Sequence, residues 1–518
     1  MLYFVNFGMP DHKSGIEHAE LKRLQLFEDH QLPCKIIARD WNRTLHMTAN
    51  AAGVDDDHLL GMFDYYQHTE KVVSKHLTVA DLDFGLQNLT TQDESEKHRY
   101  IVKRKNGAMV ARVNYDDQHG RQVVSTEMFD GYGNLYCVNF YDSRGFKSLI
   151  QWYSPDNKID NEEWVTPDGK TVIRDYYKKD VHGRLTKTGW WLSDHQGIIH
   201  QFATIDRLFE FFLNQVNGKG GNIFILDRSL LADDALTRLK KPAYTVMHLH
   251  NSQAGDAQNP LHSILNNNYE YALNNINKYS AIVSATQRQT DDVIARFHPT
   301  SKTFTIPVGI VPDKVLQAPR ITEAKRTFGK VVAVARVAPE KRLDHLVRAI
   351  NEVHKQVPEV TLDIYGYYDP TNKYEAKRKV EDLTKKYHLE GIVNLKGYTN
   401  DVASVYNDAQ IFGLTSVMEG FDLAIMEAIS HGVVGVTYDV NYGPNDIIQD
   451  GKNGYVVDFN DWHAIADRML ELFKNPQLMQ KMSDGAYESA NRYSPDSVWQ
   501  DWNKLLTDAK QMLKGSEK

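Results

Sequence analysis

The sequence predicts an α/β protein made of two Rossmann-like halves, with an antiparallel β insert in the first half. Buried strands alternate with amphipathic helices at both ends of the chain. Short aromatic segments between regularly spaced turns fill residues 100 to 200. The length of 518 residues accommodates about two to four domains. Two such halves predict a ligand cleft where the carboxyl ends of their strands meet.

The first half opens with a strand, a helix and a second strand. The apolar run Leu2 to Phe7 predicts the first strand, about Gly15 to Asp29 the helix, and Lys35 to Arg39 the next strand. The loop from Gly8 to Ser14 lacks a G-x-G-x-x-G pattern, so it indicates only a strand-to-helix turn. The alternation resumes after residue 200, with strands expected at 222–226, 244–248 and 281–284 and helices near 203–217 and 286–297.

The insert is predicted from turn signals that fall every 12 to 14 residues. Between the turns lie short runs rich in Tyr, Val, Phe and Trp, such as Asn139 to Tyr141 and Thr188 to Trp191. Regular turns between short aromatic strands predict an antiparallel meander. Its aromatic face and two edges fit a surface for a partner subunit or a polymeric acceptor, and a purely structural insert fits equally well.

A polar linker, Pro312 to Lys330, leads to the second half. There we expect the following strands and helices: strands 331–335, 361–365, 393–395, 411–415 and 433–438, and helices 343–357, 373–387 and one from near Phe421. The last segment opens with Ser494-Pro495, a cap followed by proline at the first helical position.

The composition excludes several classes of function. A net charge of −8 argues against general binding to nucleic acid. Cys34 and Cys137 are the only cysteines, so no disulfide framework is expected. The apolar N-terminus is too short for the core of a signal peptide, and no apolar stretch reaches about 18 residues. We therefore expect a cytoplasmic protein.

Two glutamates with seven residues between them, Glu419 and Glu427, form the most informative motif. Glu419 lies in the loop before the expected helix, and Glu427 about two turns beyond its start. Gly420 allows a close approach of the backbone to a ligand, and the helix N-terminus favours anionic or hydroxyl-rich groups. Taken alone, the pair is also typical of solvated surface glutamates.

Two cations of the second half are expected to converge on one anion. Arg336 follows a strand, and Lys341 lies near the start of the next helix. A diphosphate fits such a pair with helix amides beside it, and ordinary surface charges are the alternative. The glycine turn Gly397, Tyr398, Thr399 and Asn400 follows another strand and is expected to pass close to a flat base.

His248 and His250 end a strand of the first half, on one face and at its carboxyl end. Such spacing suits a metal, but no Cys or H-x-E motif lies nearby in the sequence to supply a third ligand. Contact with a substrate hydroxyl is the preferred interpretation, and a structural role for each histidine stays open.

Taken together, Arg336, Lys341, Glu419-Gly420-Phe421 and Glu427 resemble the donor-binding half of GT-B retaining glycosyltransferases of family 4. The resemblance covers most of the chain. Further matching segments are Phe4 to Asn6, Ser14 to Glu17, Asp40 to Arg43, Asp227-Arg228 and Asp439 to Pro444. They are similar to a narrower group, the accessory Sec protein O-glycosyltransferases that modify serine-rich repeat adhesins, and to the related poly(glycerol-phosphate) and poly(ribitol-phosphate) glycosyltransferases of teichoic acid.

The resemblance implies a role for each matching residue. It implies that Arg336 and Lys341 neutralise the UDP diphosphate and that His250, rather than His248, contacts the sugar where it reacts. It implies catalytic roles for His250, Glu419, Arg336 and Lys341. The donor-binding residues that it implies are Ser14, Gly15, Ile16, Glu17, His250, Arg336, Lys341, Gly397, Tyr398, Thr399, Asn400, Glu419, Gly420, Phe421, Asp422, Leu423 and Glu427, with Glu427 on the ribose and 419–423 on the hexose.

The resemblance also implies substrates and partners. The donor is UDP-glucose or UDP-N-acetylglucosamine, the acceptor a serine-rich repeat protein, and no metal or other cofactor is needed. A partner glycosyltransferase subunit, a homo-oligomer and peripheral association with the inner face of the membrane are all compatible with it. The alternatives are a teichoic acid α-glucosyltransferase and a non-catalytic acceptor-binding subunit, which would be expected to lack the cations and glutamates.

The predicted domains follow from the same resemblance. Residues 1–43 and 201–315 form the acceptor-side Rossmann-like domain, residues 44–200 the meander insert, residues 316–493 the UDP-sugar-binding domain and residues 494–518 a C-terminal helix. A retaining glycosidase is set aside, because its two carboxyl groups must flank one glycosidic bond.

Overall fold

The computed structural model describes residues 1–515. The chain divides into two compact units, residues 1–245 and residues 246 onward, and the division falls within the strand Ala243–His248. Within residues 1–515, no helix combines the length and the apolar character that a membrane span requires.

The first unit starts with alternating strands and helices: β1 (Leu2–Asn6), α1 (Gly15–Asp29), β2 (Cys34–Ala38), α2 (Leu45–Ala51), β3 (Leu59–Gly61) and α3 (Met62–Gln67). β1 pairs in parallel with β2, and β2 with β3. All five residues of β1 are buried, as is typical of a strand inside a parallel sheet that is covered on both faces.

The meander follows as ten strands: β4 (Leu89–Glu94), β5 (Arg99–Arg104), β6 (Met109–Asp116), β7 (Gln122–Phe129), β8 (Leu135–Tyr141), β9 (Lys147–Tyr153), β10 (Ile159–Val165), β11 (Thr171–Lys179), β12 (Leu185–Ser193) and β13 (Ile199–Phe202). Each strand is the sheet neighbour of the next, and the pairs are antiparallel. Positive φ angles at glycines such as Gly133, Gly145 and Gly169 form the turns. The predicted antiparallel sheet is thereby confirmed.

The segment before the meander differs from the prediction that the insert begins at residue 44. β3 pairs with β2 in the parallel sheet, and the first antiparallel strand begins at Leu89. α3 supports the meander, since Gln67 Nε2 donates to the backbone oxygens of Ser148 at 2.8 Å and Val165 at 2.6 Å. The sequence missed β3 because three residues are too few for a periodic pattern.

The first unit then returns to parallel strands through α4 (Ile205–Asn217), β14 (Asn222–Leu226) and α5 (Ser229–Leu236), and reaches β15 (Ala243–His248). β14 pairs in parallel with β1, with Leu2 opposite Ile223. β1 therefore lies between β2 and β14, and the chain reverses its direction of travel across the sheet there. Such a reversal is the place where open α/β sheets bind ligands.

The second unit starts with the end of β15 and continues through α6 (Glu270–Asn274), β16 (Ala281–Ser284), α7 (Gln287–Phe297), β17 (Lys302–Thr305) and α8 (Asp313–Leu316). β15, β16 and β17 pair in parallel. The segment predicted as a polar linker is anchored rather than loose. Arg326 is 5% exposed, and its guanidinium donates to the backbone oxygens of Tyr406 and Ala409, each at 2.8 Å.

A second parallel sheet follows, with six strands: β18 (Lys330–Val334), β19 (Thr361–Tyr365), β20 (Val393–Gly397), β21 (Ile411–Leu414), β22 (Val434–Tyr438) and β23 (Gly454–Val457). Their order across the sheet is β20-β19-β18-β21-β22-β23. This is the 3-2-1-4-5-6 order of a Rossmann fold. The helices are α9 (Leu343–His354), α10 (Thr371–Lys386), α11 (Val402–Asp408), α12 (Leu423–Ser430), α13 (Pro444–Ile447), α14 (Trp462–Lys474), α15 (Pro476–Ala490) and α16 (Pro495–Gly515).

Two helix starts differ slightly from the predictions. α12 begins at Leu423 and not near Phe421, because the Asp422 side chain caps it. Glu427 is therefore its fifth residue, little more than one turn beyond the start. In α10, residues 372–374 have positive φ, so a regular helix begins only after them.

Candidate functional site

The switch point of the second sheet lies between β18 and β21, which are neighbours in the sheet. Arg336 comes two residues after β18, and the segment from Thr415 to Glu419 follows β21. Thr415 joins the two loops, because its Oγ1 donates to the backbone oxygens of Lys341 at 3.2 Å and Arg342 at 2.9 Å. The predicted cations and the first glutamate therefore lie at one edge of the sheet.

Arg336 is held between two carboxylates. One terminal nitrogen of its guanidinium is paired with Asp369, which follows β19, and the other with Glu340. The arginine side chain is 39% exposed, so it also faces solvent. Two charged hydrogen bonds fix its plane at the carboxyl end of β18.

Lys341 is paired with Glu419, and its Nζ lies 3.8 Å from Asp422 Oδ2. Burial alone would lower the pKa of Lys341, but the two carboxylates outweigh it and raise the pKa. The lysine is therefore positively charged in a site that is 18% exposed at its side chain. Lys341 and Glu419, predicted to act on one ligand, are in direct contact.

Asp422 forms the start of α12 and faces the same lysine. Its carboxylate accepts a hydrogen bond from the backbone N–H of Ile425 at 3.0 Å, in left-handed backbone with φ of 68°. Burial, and next the charge of Glu419, raise the pKa of Asp422 to about 7, although Lys341 acts in the opposite direction. A carboxyl group with a raised pKa beside a cation is typical of functional sites.

Gly420 brings the glutamate loop against the loop that carries His250. A Cβ placed on Gly420 would lie 2.0 Å from the backbone oxygen of His250, so only glycine fits there. The backbone N–H of His250 donates to the hydroxyl of Tyr269 at 3.0 Å. His250 and Glu419, which are distant in the sequence, are thus on neighbouring segments of the second unit.

His248 and His250 have different surroundings. Their rings are 4.2 Å apart, which agrees with the predicted common face. His248 is 1% exposed and packs edge-on against Trp502 of α16 at 5.8 Å. His250 is partly exposed. This difference favours His250 as the histidine that can contact a substrate.

The loop after β22 contacts the loop after β15 and the helix α7. Asn441 Nδ2 donates to the Ala257 oxygen at 2.8 Å, and the hydroxyl of Tyr442 donates to Asp292 at 2.7 Å. The same loop contacts the glutamate, because the Glu419 N–H donates to the Asn441 oxygen at 3.2 Å. The resembling segment Asp439 to Pro444 therefore positions Glu419 through its backbone.

The remaining predicted residues of the second half are spread around this centre. Gly397 has φ of 73° at the end of β20, and Tyr398 is 64% exposed beside it. β19 lies between β20 and β18, so this turn is about 10 Å from the cation loop. Thr399 Oγ1 accepts the Asp401 N–H at 3.1 Å, and Asn400 is exposed.

Phe421 and Leu423 contribute mainly to packing. Phe421 is 5% exposed and meets Tyr493 edge-on at 5.5 Å, and Leu423 packs against the same core. The backbone of these two residues, rather than their side chains, is therefore the part that faces a ligand. Glu427 is partly buried on α12, and its backbone oxygen accepts a hydrogen bond from Ser430 at 2.7 Å.

Ser14 to Glu17 cap α1 in the first unit. The Glu17 carboxylate accepts hydrogen bonds from the Ser14 N–H at 2.8 Å and hydroxyl at 2.5 Å, and the Ile16 N–H donates to Ser14 Oγ at 3.3 Å. Arg228, which follows β14, pairs with Glu17. Burial alone would raise the pKa of Glu17, but these partners lower it. Gly15 and Ile16 present the first backbone amides of the helix.

Sequence reasoning missed three residues of the site. Glu340, Asp369 and Tyr269 are partners of the predicted residues and were assigned no role. Asp369 had a usable signal, because it follows the strand at 361–365 by four residues. Tyr269 had none, since a single tyrosine in a polar segment indicates no particular contact.

Comparison with known families and proteins agrees with this fold. Residues 317–489 match the family described as Glycosyl transferases group 1. That segment contains Arg336, Lys341, Glu419 and Glu427. The resemblance to GT-B glycosyltransferases drawn from the sequence is confirmed.

Two relatives extend along almost the whole chain. The UDP-N-acetylglucosamine–peptide N-acetylglucosaminyltransferase GtfA subunit of Streptococcus pneumoniae is 26% identical over 530 residues, which cover 98% of this chain and 99% of the relative. The poly(ribitol-phosphate) alpha-N-acetylglucosaminyltransferase of Staphylococcus aureus is 28% identical over 510 residues, which cover 95% of this chain and 97% of the relative.

A solved structure shows the same fold. A chain of the GtfA/B complex matches with a TM-score of 0.79 at 22% identity, covering 98% of this chain and 99% of that chain. The predicted fold class, GT-B with an antiparallel insert, is confirmed by this match and by the strand order of the second sheet.

Proposed function

We propose, starting from a chain whose residues 317–489 form a glycosyl transferases group 1 domain, that the protein transfers a hexose from a UDP-sugar to serine or threonine hydroxyls of a serine-rich protein, with retention of configuration. One observation carries the proposal. Arg336, Lys341 and Glu419 lie on the loops that follow β18 and β21 at the switch point of a Rossmann-ordered sheet, and Lys341 pairs with Glu419.

Arg336 and Lys341 supply the positive charge that stabilises a diphosphate leaving group. Lys341 is charged and mostly buried, and Arg336 faces solvent with N–H groups in a planar fork. A diphosphate that enters here competes with Glu419, Glu340 and Asp369 for the same donors. We infer that it displaces the lysine from Glu419 and frees that carboxylate for the hydroxyls of the donor sugar.

The transfer step needs no protein side chain as a general base. The bond from the anomeric carbon to the phosphate oxygen breaks, and the acceptor hydroxyl attacks on the same face of the sugar. Its proton passes to a β-phosphate oxygen of the departing UDP. Arg336 and Lys341 stabilise the charge that develops on that phosphate, which is the preorganised electrostatic contribution expected of such a site.

The other predicted residues take places around this reaction. We propose that Gly397 to Asn400 border the uracil, Glu427 the ribose, and Glu419 to Leu423 the hexose. His250 contacts the sugar at its reacting carbon, and the amides of Ser14 to Glu17 contribute to the phosphates. The domain roles follow, with residues 316–493 binding the donor and residues 1–43 and 201–315 the acceptor side.

We further propose N-acetylglucosamine as the sugar to test first and a partner subunit as part of the working enzyme. Both relatives are named for transfer of that sugar, and the matched solved structure is a GtfA/B complex. A cytoplasmic location fits two buried free cysteines, Cys34 and Cys137.

A hydrolysis and transfer panel tests the function. The purified chain, alone and with a partner subunit, is incubated with UDP-glucose or UDP-N-acetylglucosamine and a serine-rich peptide. We expect UDP release and a peptide mass increase of one glucose or one N-acetylglucosamine unit with the matching donor. The variant Glu419→Gln keeps the size of the side chain and should abolish the increase. Peptide modification at the same rate in that variant would contradict the site.

A second acceptor class is favoured by one comparison. The Staphylococcus aureus relative is named for transfer to poly(ribitol-phosphate), and it covers 95% of this chain. The same panel with a polyol-phosphate polymer separates the two acceptors. Modification of the polymer and none of the peptide would assign the chain to teichoic acid, and failure with both would leave only a donor-binding protein.

A further inference from the structure

A cavity of about 450 Å³ opens in the first unit, and none of its lining residues is among the catalytic and donor-binding residues assigned above. It lies between the face of the meander and the loop that follows β2. We call it the tryptophan cavity and define it by its main lining side chains, Trp41, Phe63, Phe140, Trp164 and Trp190 with Gln151, Glu162 and Lys187. Its volume falls within the roughly 300–1,000 Å³ typical of small-ligand sites.

The register of the meander explains why these side chains share one face. Gln151 is opposite Glu162, which is opposite Asp175, which in turn is opposite Trp190. A second row across the same strands runs through Phe140, Leu149 and Trp164. Residues in register across neighbouring strands project to the same side of a sheet. The two rows therefore form one continuous wall.

The wall has a rigid aromatic floor. Trp164 and Trp190 are stacked with ring centroids 5.5 Å apart, and Phe63 packs on Trp164 at 4.8 Å. Trp164 is 2% exposed and Trp190 4%, whereas Trp41 and Phe140 at the rim are partly exposed. Flat apolar surfaces of this kind complement the C–H face of a sugar ring, because both are planar and apolar.

A polar network borders the aromatic floor. Lys187 is paired with Glu162, and its Nζ lies 3.0 Å from Asp175 Oδ2. Gln151 Nε2 donates to Glu162 Oε1 at 2.6 Å. One cation is thus matched by two carboxylates, so the border carries no excess of positive charge. An anion such as a phosphate is poorly suited to it, and a neutral ligand rich in hydroxyl groups is well suited.

One hydrogen-bond donor of the wall has no acceptor. The indole Nε1 of Trp164 is buried without a hydrogen-bond partner among the described residues. The comparable group of Trp41 donates to Ser148 Oγ at 2.9 Å. Buried N–H groups in folded proteins are nearly always paired, and this indole nitrogen is itself buried, so Gln151 and Lys187 are the donors of the wall that a ligand reaches.

We propose that the tryptophan cavity is a saccharide-binding subsite that holds a neutral hexosyl unit already attached to the acceptor. The sugar ring packs against the partly exposed rings of Trp41 and Phe140 at the rim, and its hydroxyls bond to Gln151, Glu162 and Lys187. The identity of the sugar as an earlier product of the same enzyme rests on the proposed function. The subsite itself does not, because it is argued from the cavity alone.

Direct binding measurements test the subsite. Methyl α-N-acetylglucosaminide and methyl α-glucoside are titrated into the full-length chain up to roughly 50 mM, about fifty times a dissociation constant of 1 mM, and followed by saturation-transfer NMR. We expect binding by the native chain and a loss of about two- to twelvefold in Trp41→Ala, since aromatic contacts beyond area burial are worth about 0.5–1.5 kcal/mol. Gln151→Leu, which keeps the size of the side chain, should weaken binding as well.

A matched control lies on the same strand. Trp152 is adjacent to Gln151 but is on the opposite face of the meander and 37% exposed, so Trp152→Ala should leave sugar binding unchanged. Thermal unfolding checks that each variant is folded. If Trp41→Ala does not fold, Gln151→Leu decides. Absence of saccharide binding, or binding that is equal in Trp41→Ala, Gln151→Leu and the native chain, would overturn the proposal.

Transfer assays distinguish an attached sugar from a free one. A serine-rich peptide that already carries one hexose should have a lower KM than the bare peptide, and Trp41→Ala should remove that difference. Equal KM values in the native chain would restrict the subsite to free saccharides and would contradict its role toward the acceptor. Failure of all transfer would contradict the proposed function instead, while the NMR titration would still report on the subsite.

Discussion

Lys341 illustrates how single residues of this site depend on one another. Its ammonium group is charged because Glu419 and Asp422 offset the cost of burial. The same two carboxylates would repel each other without it; burial, and next the charge of Glu419, already raise the pKa of Asp422 to about 7. The three side chains therefore act as one electrostatic group, and a change in one alters the other two.

Replacing Lys341 should weaken binding of the UDP-sugar donor. Each charged hydrogen bond is worth roughly 1.5–3 kcal/mol, so Lys341→Ala should lower UDP affinity about 10- to 100-fold, as measured by calorimetry. Because the change leaves two buried carboxylates unpaired, a double variant, Lys341→Met with Glu419→Gln, serves as the charge-matched comparison. Lys355→Ala, at an exposed site on the helix-end loop, is the control. Unchanged UDP affinity in the folded Lys341→Ala protein would refute the assignment.

Glu323 gives the stability of the chain a predictable pH dependence. Burial raises the pKa of Glu323 from 4.5 to about 7, although Arg326 beside it acts in the opposite direction. The folded protein therefore binds this proton more tightly than the unfolded chain does. The stabilising contribution is complete below pH 4.5 and is lost as the pH rises through about 7.

Glu323→Gln should flatten that part of the profile. An amide stays neutral, so the free energy of unfolding should fall less between about pH 5 and about pH 8 than in the native chain, by roughly 1–3 kcal/mol. Urea unfolding at the two pH values measures it. Glu359→Gln, at an exposed position, is the control. A native-like slope in Glu323→Gln would show that other groups cause the dependence.

At the scale of elements, the structure ties the meander to the parallel sheet through α3 and one turn. Arg144, in the turn after β8, donates to Asp142 at 2.8 Å, to Asp64 of α3 at 2.7 Å and to the Thr69 oxygen at 2.5 Å. Arg144 is 5% exposed. The meander is thereby fixed to its base by a buried charge network.

Removal of that arginine should loosen the junction. Arg144→Ala leaves the carboxylate of Asp142 buried without its cation and Asp64 with His46 alone, and loss of one partner of a buried ion pair typically costs about 3–5 kcal/mol. We expect faster hydrogen exchange in β8, β9 and α3 than in the second unit. Arg184→Ala removes an arginine from another meander turn, but its side chain is 74% exposed, so exchange should not change. Equal exchange in the two variants would show that the network contributes nothing.

How far the sequence predicts the elements depends on how local the determining forces are. Five strands of the second sheet, β18 to β22, and the meander turns were predicted correctly, because apolar runs and turn residues act over a few neighbours, whereas β23 was not predicted. The partners of Arg336 were not predicted, since Asp369 reaches it through the order of β18 and β19. The start of α12 was placed two residues early, because the capping role of Asp422 needs an unusual left-handed backbone.

At the scale of the whole molecule, the proposed chemistry uses no divalent metal. Arg336, Lys341 and the N-terminal ends of α9 and α12 surround the proposed diphosphate site. We therefore expect sugar transfer and donor hydrolysis to continue at the same rate in EDTA. Addition of magnesium or manganese should change the rate only slightly. Activity that EDTA abolishes and manganese restores would show that a metal stabilises the leaving group.

The position of β14 has a consequence for how the chain is made. β2 is available to pair with β1 soon after synthesis starts. The other edge of β1 stays unpaired until Ile223 and its neighbours have been synthesised. At about 5–20 residues per second, a ribosome needs roughly 10–40 s to reach them. The meander, in which every strand pairs with its successor, can form during that interval. Nascent chains that stop before residue 222 therefore expose an apolar strand edge, the kind of surface that chaperones bind and that aggregates in their absence.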